Sequence, residues 1–171
     1  MSCISCDLVR CWSGPALLRA VGALLIGLGG PVSASAGDIT AFLATGSPGE
    51  TWRVGAGGAL ATSWFRIVQL EGEIARLPGE APESSMTSFT GSALLAPPLG
   101  LLTPYGGLGV GVFRQGLGRR RDNGTLQALV LGVKLRAGLL VLKGEYRRCD
   151  LSGEPLLPMG HRVSIGAGIG F

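Results

Sequence analysis

The carboxy-terminal stretch His161 to Phe171, HRVSIGAGIGF, sorts its side chains by twos. Val163, Ile165, Ala167, Ile169 and Phe171 share one face, and Arg162, Ser164, Gly166, Gly168 and Gly170 share the other. A period of two belongs to a β-strand whose faces meet different environments, and no helix would separate these residues in that way. Glycine recurs at the same spacing in Gly55 and Gly57 and in Gly107, Gly109 and Gly111, which would weaken any competing helix.

Eight segments carry strand character: residues 38–45, 52–61, 65–76, 86–95, 104–113, 125–136, 139–148 and 162–171. Most are near the roughly nine to eleven residues that a tilted strand needs to cross a bilayer. The third sets Val68, Leu70, Gly72 and Ile74 against Gln69, Glu71 and Glu73. The seventh sets Leu140, Leu142, Gly144 and Tyr146 against Val141, Lys143, Glu145 and Arg147. The sixth and fifth sort in the same way, whereas the first and fourth alternate poorly. Connections after the odd segments are long and polar (46–50, 77–85, 114–124 and 149–161). Those after the even segments are mostly short: Thr62-Ser63, residues 97–103 and Ala137-Gly138. Such sidedness is the pattern of extracellular loops and periplasmic turns. The expected fold is all-β: a single eight-stranded antiparallel up-and-down transmembrane β-barrel, closed so that no strand edge faces lipid.

The start of the chain reads as a secretory signal rather than as part of this domain. Arg10 and Arg19 precede the apolar run 20–30, and Ala34-Ser35-Ala36 supplies a small-residue cleavage site. The run is well short of the roughly 20 residues that a spanning helix needs, and Gly29-Gly30-Pro31 breaks it. Residues 1–36 are therefore expected to be a signal peptide and 37–171 the barrel domain. Cys3, Cys6 and Cys11 would leave with the signal, so Cys149 alone has no disulfide partner within one mature chain. The Cys3/Cys6 pair lacks a second ligand pair for zinc, and no cysteine follows the apolar run at the cleavage point for a lipid anchor. A net charge of +4 over 171 residues is too mild to imply nucleic acid.

Thr103-Pro104-Tyr105-Gly106-Gly107-Leu108-Gly109-Val110-Gly111 resembles the tPY-x-x-x-G-x-G strand of the outer-membrane protein β-barrel domain family, the small OmpA/OmpX and opacity-protein barrels. Lys143-Gly144-Glu145-Tyr146-Arg147, then His161-Arg162 and the final Gly-x-Gly-Phe, look like that family's last hairpin. The resemblance covers the expected mature chain. It implies an eight-stranded barrel in the bacterial outer membrane, with lipid around it and the barrel assembly machinery as its partner during biogenesis. It also implies that Val163, Ile165, Ala167, Ile169 and Phe171 form the terminal signal by which such barrels are recognised for assembly.

Sequence motifs for chemistry are sparse. Neither glycine-rich stretch has the G-x-G-x-x-G or G-K-[ST] spacing of a phosphate cradle. Alternate glycines instead thin the inner face of a narrow barrel. His161 and Ser164, three apart on a strand, fall on opposite faces and cannot share a proton as base and nucleophile must. No catalytic, cofactor-binding or metal-ligating set is identified. Arg119-Arg120-Arg121 beside the turn signal Asp122-Asn123-Gly124 reads as a basic loop tip, a solvated run or a surface contact for phosphates or an acidic partner. Trp64, Tyr105 and Phe171 near the short turns, and Trp52 and Tyr146 near the loops, fit two sparse aromatic girdles.

By parity and strand direction, Arg53, Glu71, Glu73, Lys143, Glu145, Arg147 and Arg162 point inward and gather in the extracellular half of the lumen, with Lys134 and Arg136 nearer the periplasmic mouth. Eight strands enclose a space just wide enough for side chains to fill, so these charges are expected to pair across it as a plug. The reading is a non-enzymatic outer-membrane protein with a structural or surface-interaction role and an extracellular partner unknown. The alternatives are a small pore, a lipid-modifying barrel enzyme and a soluble periplasmic barrel binding a ligand inside.

Overall fold

The computed structural model describes residues 37–48, 53–64, 67–79, 84–117, 120–152 and 159–171. The expected signal at 1–36 lies outside them. Eight strands follow in order: β1 Gly37–Pro48, β2 Arg53–Trp64, β3 Val68–Pro78, β4 Ser84–Leu95, β5 Leu102–Leu117, β6 Arg120–Ala137, β7 Leu140–Leu151 and β8 Met159–Gly170. Each pairs antiparallel with its sequence neighbours, and β8 returns to β1, so the sheet closes into a barrel. The seam runs from Asp38↔Gly170 to Gly46↔Arg162, with an irregularity between Gly46 and Pro48. Beyond it, Gly37 and Phe171 exchange two backbone hydrogen bonds of 2.7 and 2.9 Å. Closure leaves no sheet edge unpaired, the condition for β-structure in hydrocarbon.

Following cross-strand partners from Asn123 of β6 leads through Arg114, Thr87, Arg76, Ala56, Leu43, Ile165 and Gly144. The path re-enters β6 at Val133 rather than at Asn123. Strands therefore tilt against the barrel axis, as closure requires.

The two faces are inverted relative to a soluble protein. Ile165 is 72 % exposed and Leu108 68 %, whereas Glu71 is 3 % exposed and Arg147 1 %. Apolar side chains cover the outside and charged ones fill the inside, which is stable only where the outer solvent is hydrocarbon. β1 and β4, irregular in the sequence, alternate as cleanly as the rest. Met86, Ser88, Thr90, Ser92 and Leu94 of β4 are buried, in alternation with outward positions that include Phe89 and Leu95. Hydropathy obscured this because hydroxyls and apolar groups share the inner face.

Three boundaries differ from expectation. Thr62 and Ser63 are not a turn: they stay in β2, paired through Thr62↔Leu70 and Trp64↔Val68, and β3 begins at Val68. The turn between β6 and β7 is Gly138-Leu139, with Gly138 at φ 60°, a left-handed backbone that suits glycine. Asp122-Asn123-Gly124 does not form a loop tip but lies within β6, since the β5 ladder runs on to Leu117↔Arg120. The Phe113 ring lies over Gly124, where an added Cβ would meet it at 2.7 Å. This aromatic cover of a strand glycine supports pairing through a dipeptide that would otherwise favour a turn.

Candidate functional site: the lumen charge network

Inward positions on β3, β7 and β8 bring six charged side chains together in the lumen. Glu71 and Glu73 come from β3, Lys143, Glu145 and Arg147 from β7, and Arg162 from β8, all buried. Lys143 Nζ bridges Glu71 Oε2 at 2.8 Å and Glu145 Oε2 at 2.9 Å. Arg147 holds three carboxylates: Glu71 Oε1 at 2.6 Å, Glu73 Oε2 at 2.9 Å and Glu145 Oε1 at 2.5 Å. Arg162 Nη2 meets Glu73 Oε1 at 2.5 Å and lies 3.8 Å from Glu145 Oε1. Three acids thus face three bases, and the cluster is neutral without Arg53. Arg53 has the inward parity but is exposed at the loop end of β2, outside the network. Arg53 starts its strand, above the layer where the other charges meet.

The network also sits lower than expected, at mid-lumen instead of in the extracellular half. Leu77, Met86, Phe113, Leu126 and Cys149, from the loop-side parts of their strands, form an apolar layer on that side. Toward the turn end, Lys134 Nζ pairs with Asp38 Oδ2 at 2.9 Å, and Arg136 lies 3.9 Å from the same oxygen. Gln69 Nε2 donates to Asp38 at 3.4 Å. No sequence motif singles out Asp38, although its parity with Thr40, Phe42 and Ala44 marks it as inward.

Tyr105 also departs from the expected place. It is not in the aromatic girdle but 4 % exposed inside the lumen. There its hydroxyl donates to Glu145 Oε2 at 2.9 Å. The ammonium groups of Lys134 and Lys143 stand 5.4 and 5.6 Å from its ring centroid, within cation–π range. The parity it shares with Gly107 and Gly109 was the available signal. Across the ladder stands Gly132, and a Cβ there would fall on the Tyr105 ring, so that glycine makes room for the ring. Of the other girdle residues, Trp64 and Phe171 are exposed at the turn end and Tyr146 at the loop side, while Trp52 lies outside the described residues.

Glu71, Glu73 and Glu145 offer carboxylate oxygens within 4.8 Å of one another, close enough to ligate a cation. Each already carries a guanidinium or ammonium, so a metal would have to displace the paired bases. Arg147 Nη1, Arg162 Nε and the hydroxyls of Thr40, Ser88 and Ser92 have no hydrogen-bond partner among the described residues. His161 points outward and its Nδ1 lies 2.7 Å from the Tyr146 hydroxyl, whereas Ser164 is buried on the inner face. Arg120 and Arg121 are exposed at the start of β6, and Arg119 lies outside the described residues. Val163, Ile165, Ala167, Ile169 and Phe171 form one outward apolar stripe beside the seam.

No protein-family model matches the chain, and no curated protein matches it. Solved structures do. Neisserial surface protein A aligns with a TM-score of 0.60 at 16 % identity, over 81 % of this chain and 96 % of that one. The N-terminal β-barrel domain of Pseudomonas aeruginosa OprF aligns with a TM-score of 0.57 at 17 % identity, over 80 % and 97 %. Ail, the attachment invasion locus protein of Yersinia pestis, aligns with a TM-score of 0.55 at 14 % identity, over 81 % and 100 %. The fold is that of the small eight-stranded outer-membrane barrels. Together with the closed sheet and the apolar outer belt, it places the protein in the bacterial outer membrane with lipid around it.

Proposed function

We propose that the protein is a non-enzymatic integral outer-membrane barrel with a plugged lumen and a structural or surface-interaction role. One observation carries the reading: a neutral, buried ion-pair cluster bridges β3, β7 and β8 across the interior. An ion crossing the lumen would have to break contacts among groups that are already desolvated, at a cost of several kcal/mol. Catalysis is disfavoured because, among the described residues, the one histidine lies outside and Ser164 inside. Surface contact would then fall to the loop ends, where Arg119, Arg120 and Arg121 are suited to acidic groups.

Purified protein in a planar bilayer is expected to show no steady conductance. Reproducible single-channel steps that shift when Glu71 or Lys143 is changed would replace the plug with a pore.

The reading includes removal of residues 1–36 on export, supported by the Ala34-Ser35-Ala36 site. N-terminal sequencing of envelope material is expected to begin at Gly37, and retention of Met1 would count against the signal.

A further inference from the structure

We propose that the outer face of β4, β5 and β6 at the loop end is a seat for one phosphorylated lipid. Its phosphate would be held by Arg114 and Arg76 with Thr87 between them, and its acyl chain would lie along Phe89 and Val112. The ladder register sets the polar part: Arg76 pairs with Thr87, Thr87 with Arg114 and Arg114 with Asn123, so all four share one outward row. The two arginines stand two strand spacings apart, roughly 10 Å between backbones, a span that two long side chains can close onto one phosphate.

A shallow groove is lined in part by Thr87, Phe89, Val112, Arg114 and Asn123. Phe89 and Val112 lie one outward position below Thr87 and Arg114 in the direction of the bilayer. The groove therefore has an apolar floor and a cationic, hydrogen-bonding upper end, the polarity of a lipid standing in the outer leaflet.

Charge complementarity identifies the occupant. The lumen bases Lys134, Lys143, Arg147 and Arg162 are each paired with a carboxylate. Arg76 and Arg114 are exposed and have no acidic partner among the described residues. At the turn end, the exposed large residues include Trp64, Leu95, Leu102, Leu135 and Phe171. No outward Arg or Lys occurs there among the described residues. Among the described residues, outward cations thus border the apolar belt on the loop side alone. A guanidinium pair that meets no carboxylate among the described residues and stands beside hydrocarbon is matched by a phosphate monoester, which accepts charge-assisted hydrogen bonds in a partly dry setting.

The inference rests on the outer-membrane placement, and folding into the bilayer is therefore read first, by heat-modifiable mobility in gels. The protein is then placed in phosphatidylcholine nanodiscs doped with phosphatidic acid, or with diacylglycerol as the phosphate-free counterpart, and lipid retention is measured by native mass spectrometry. One retained phosphatidic acid is expected, with R76Q/R114Q weakening retention about tenfold and R148Q, elsewhere on the rim, leaving it unchanged. Should the double variant fail to fold, R76Q and R114Q singly are expected to show the same loss in part. Equal retention by wild type and folded R76Q/R114Q would overturn the site. Equal retention of diacylglycerol would also overturn it, by leaving only an apolar groove, as would equal binding of inorganic phosphate alone, by removing the lipid.

Discussion

Replacing Glu145 with glutamine is expected to destabilise the folded barrel by about 3–5 kcal/mol, the cost of stripping one partner from a buried ion pair. Glu145 accepts from Lys143, Arg147 and Tyr105 and lies 3.8 Å from Arg162, so its neutralisation leaves three buried bases facing two carboxylates. Glu71→Gln should act in the same direction, since it strips Lys143 and Arg147 of one contact each. Urea titration of detergent-folded protein, followed by tryptophan fluorescence and heat-modifiable mobility, measures the loss. The more isolated pair, Asp38 with Lys134, provides the comparison. Asp38→Asn or Lys134→Met alone leaves a buried group unmatched, whereas the double variant removes both charges and should recover much of each loss. A Glu145→Gln stability within about 0.5 kcal/mol of wild type, the range of inert surface changes, would mean that the cluster is too hydrated to act as a plug.

Deleting Phe171 is expected to lower folded protein in outer-membrane fractions several-fold while leaving detergent refolding of the purified chain largely intact. Two effects are combined in that residue. Its backbone closes the seam with Gly37 through two hydrogen bonds, and its ring is 66 % exposed at the foot of the outward stripe that runs up through Ile169, Ala167, Ile165 and Val163. Phe171→Ala keeps the seam bonds and removes the ring. If the apolar stripe with its terminal ring is what the assembly machinery reads, the alanine variant should lose as much membrane insertion as the deletion. Wild-type amounts of heat-modifiable protein for both variants would remove the terminal signal, and a loss for the deletion alone would assign the effect to the seam.

Much of the barrel was legible in the sequence because a strand in a membrane barrel has two unlike solvents, lipid and lumen, and side-chain parity records both. Val68, Leu70 and Ile74 against Glu71 and Glu73 identify the faces of β3 without any partner strand. Parity likewise placed Lys143, Glu145, Arg147 and Arg162 inside. Parity carries no height, however, and height decided Arg53: same face, wrong layer. Turn chemistry misled at Asn123-Gly124 because hairpin propensity is local, whereas the Phe113 ring over Gly124 and the continuing ladder belong to the paired strands. An aromatic near a strand end reads as interfacial, which puts Tyr105 in a girdle by sequence alone. Its actual place depends on Gly132 across the ladder and on Glu145, forty positions along the chain. Asp38 and Lys134, 96 positions apart, meet only because the closed, tilted sheet carries β1 and β6 to one level of a narrow lumen. The sequence by itself determined the strands, their faces and the inversion of polarity. Which charges meet, at what depth, and which pair of outward arginines shares a row follows from closure and register, which link residues that no local pattern connects.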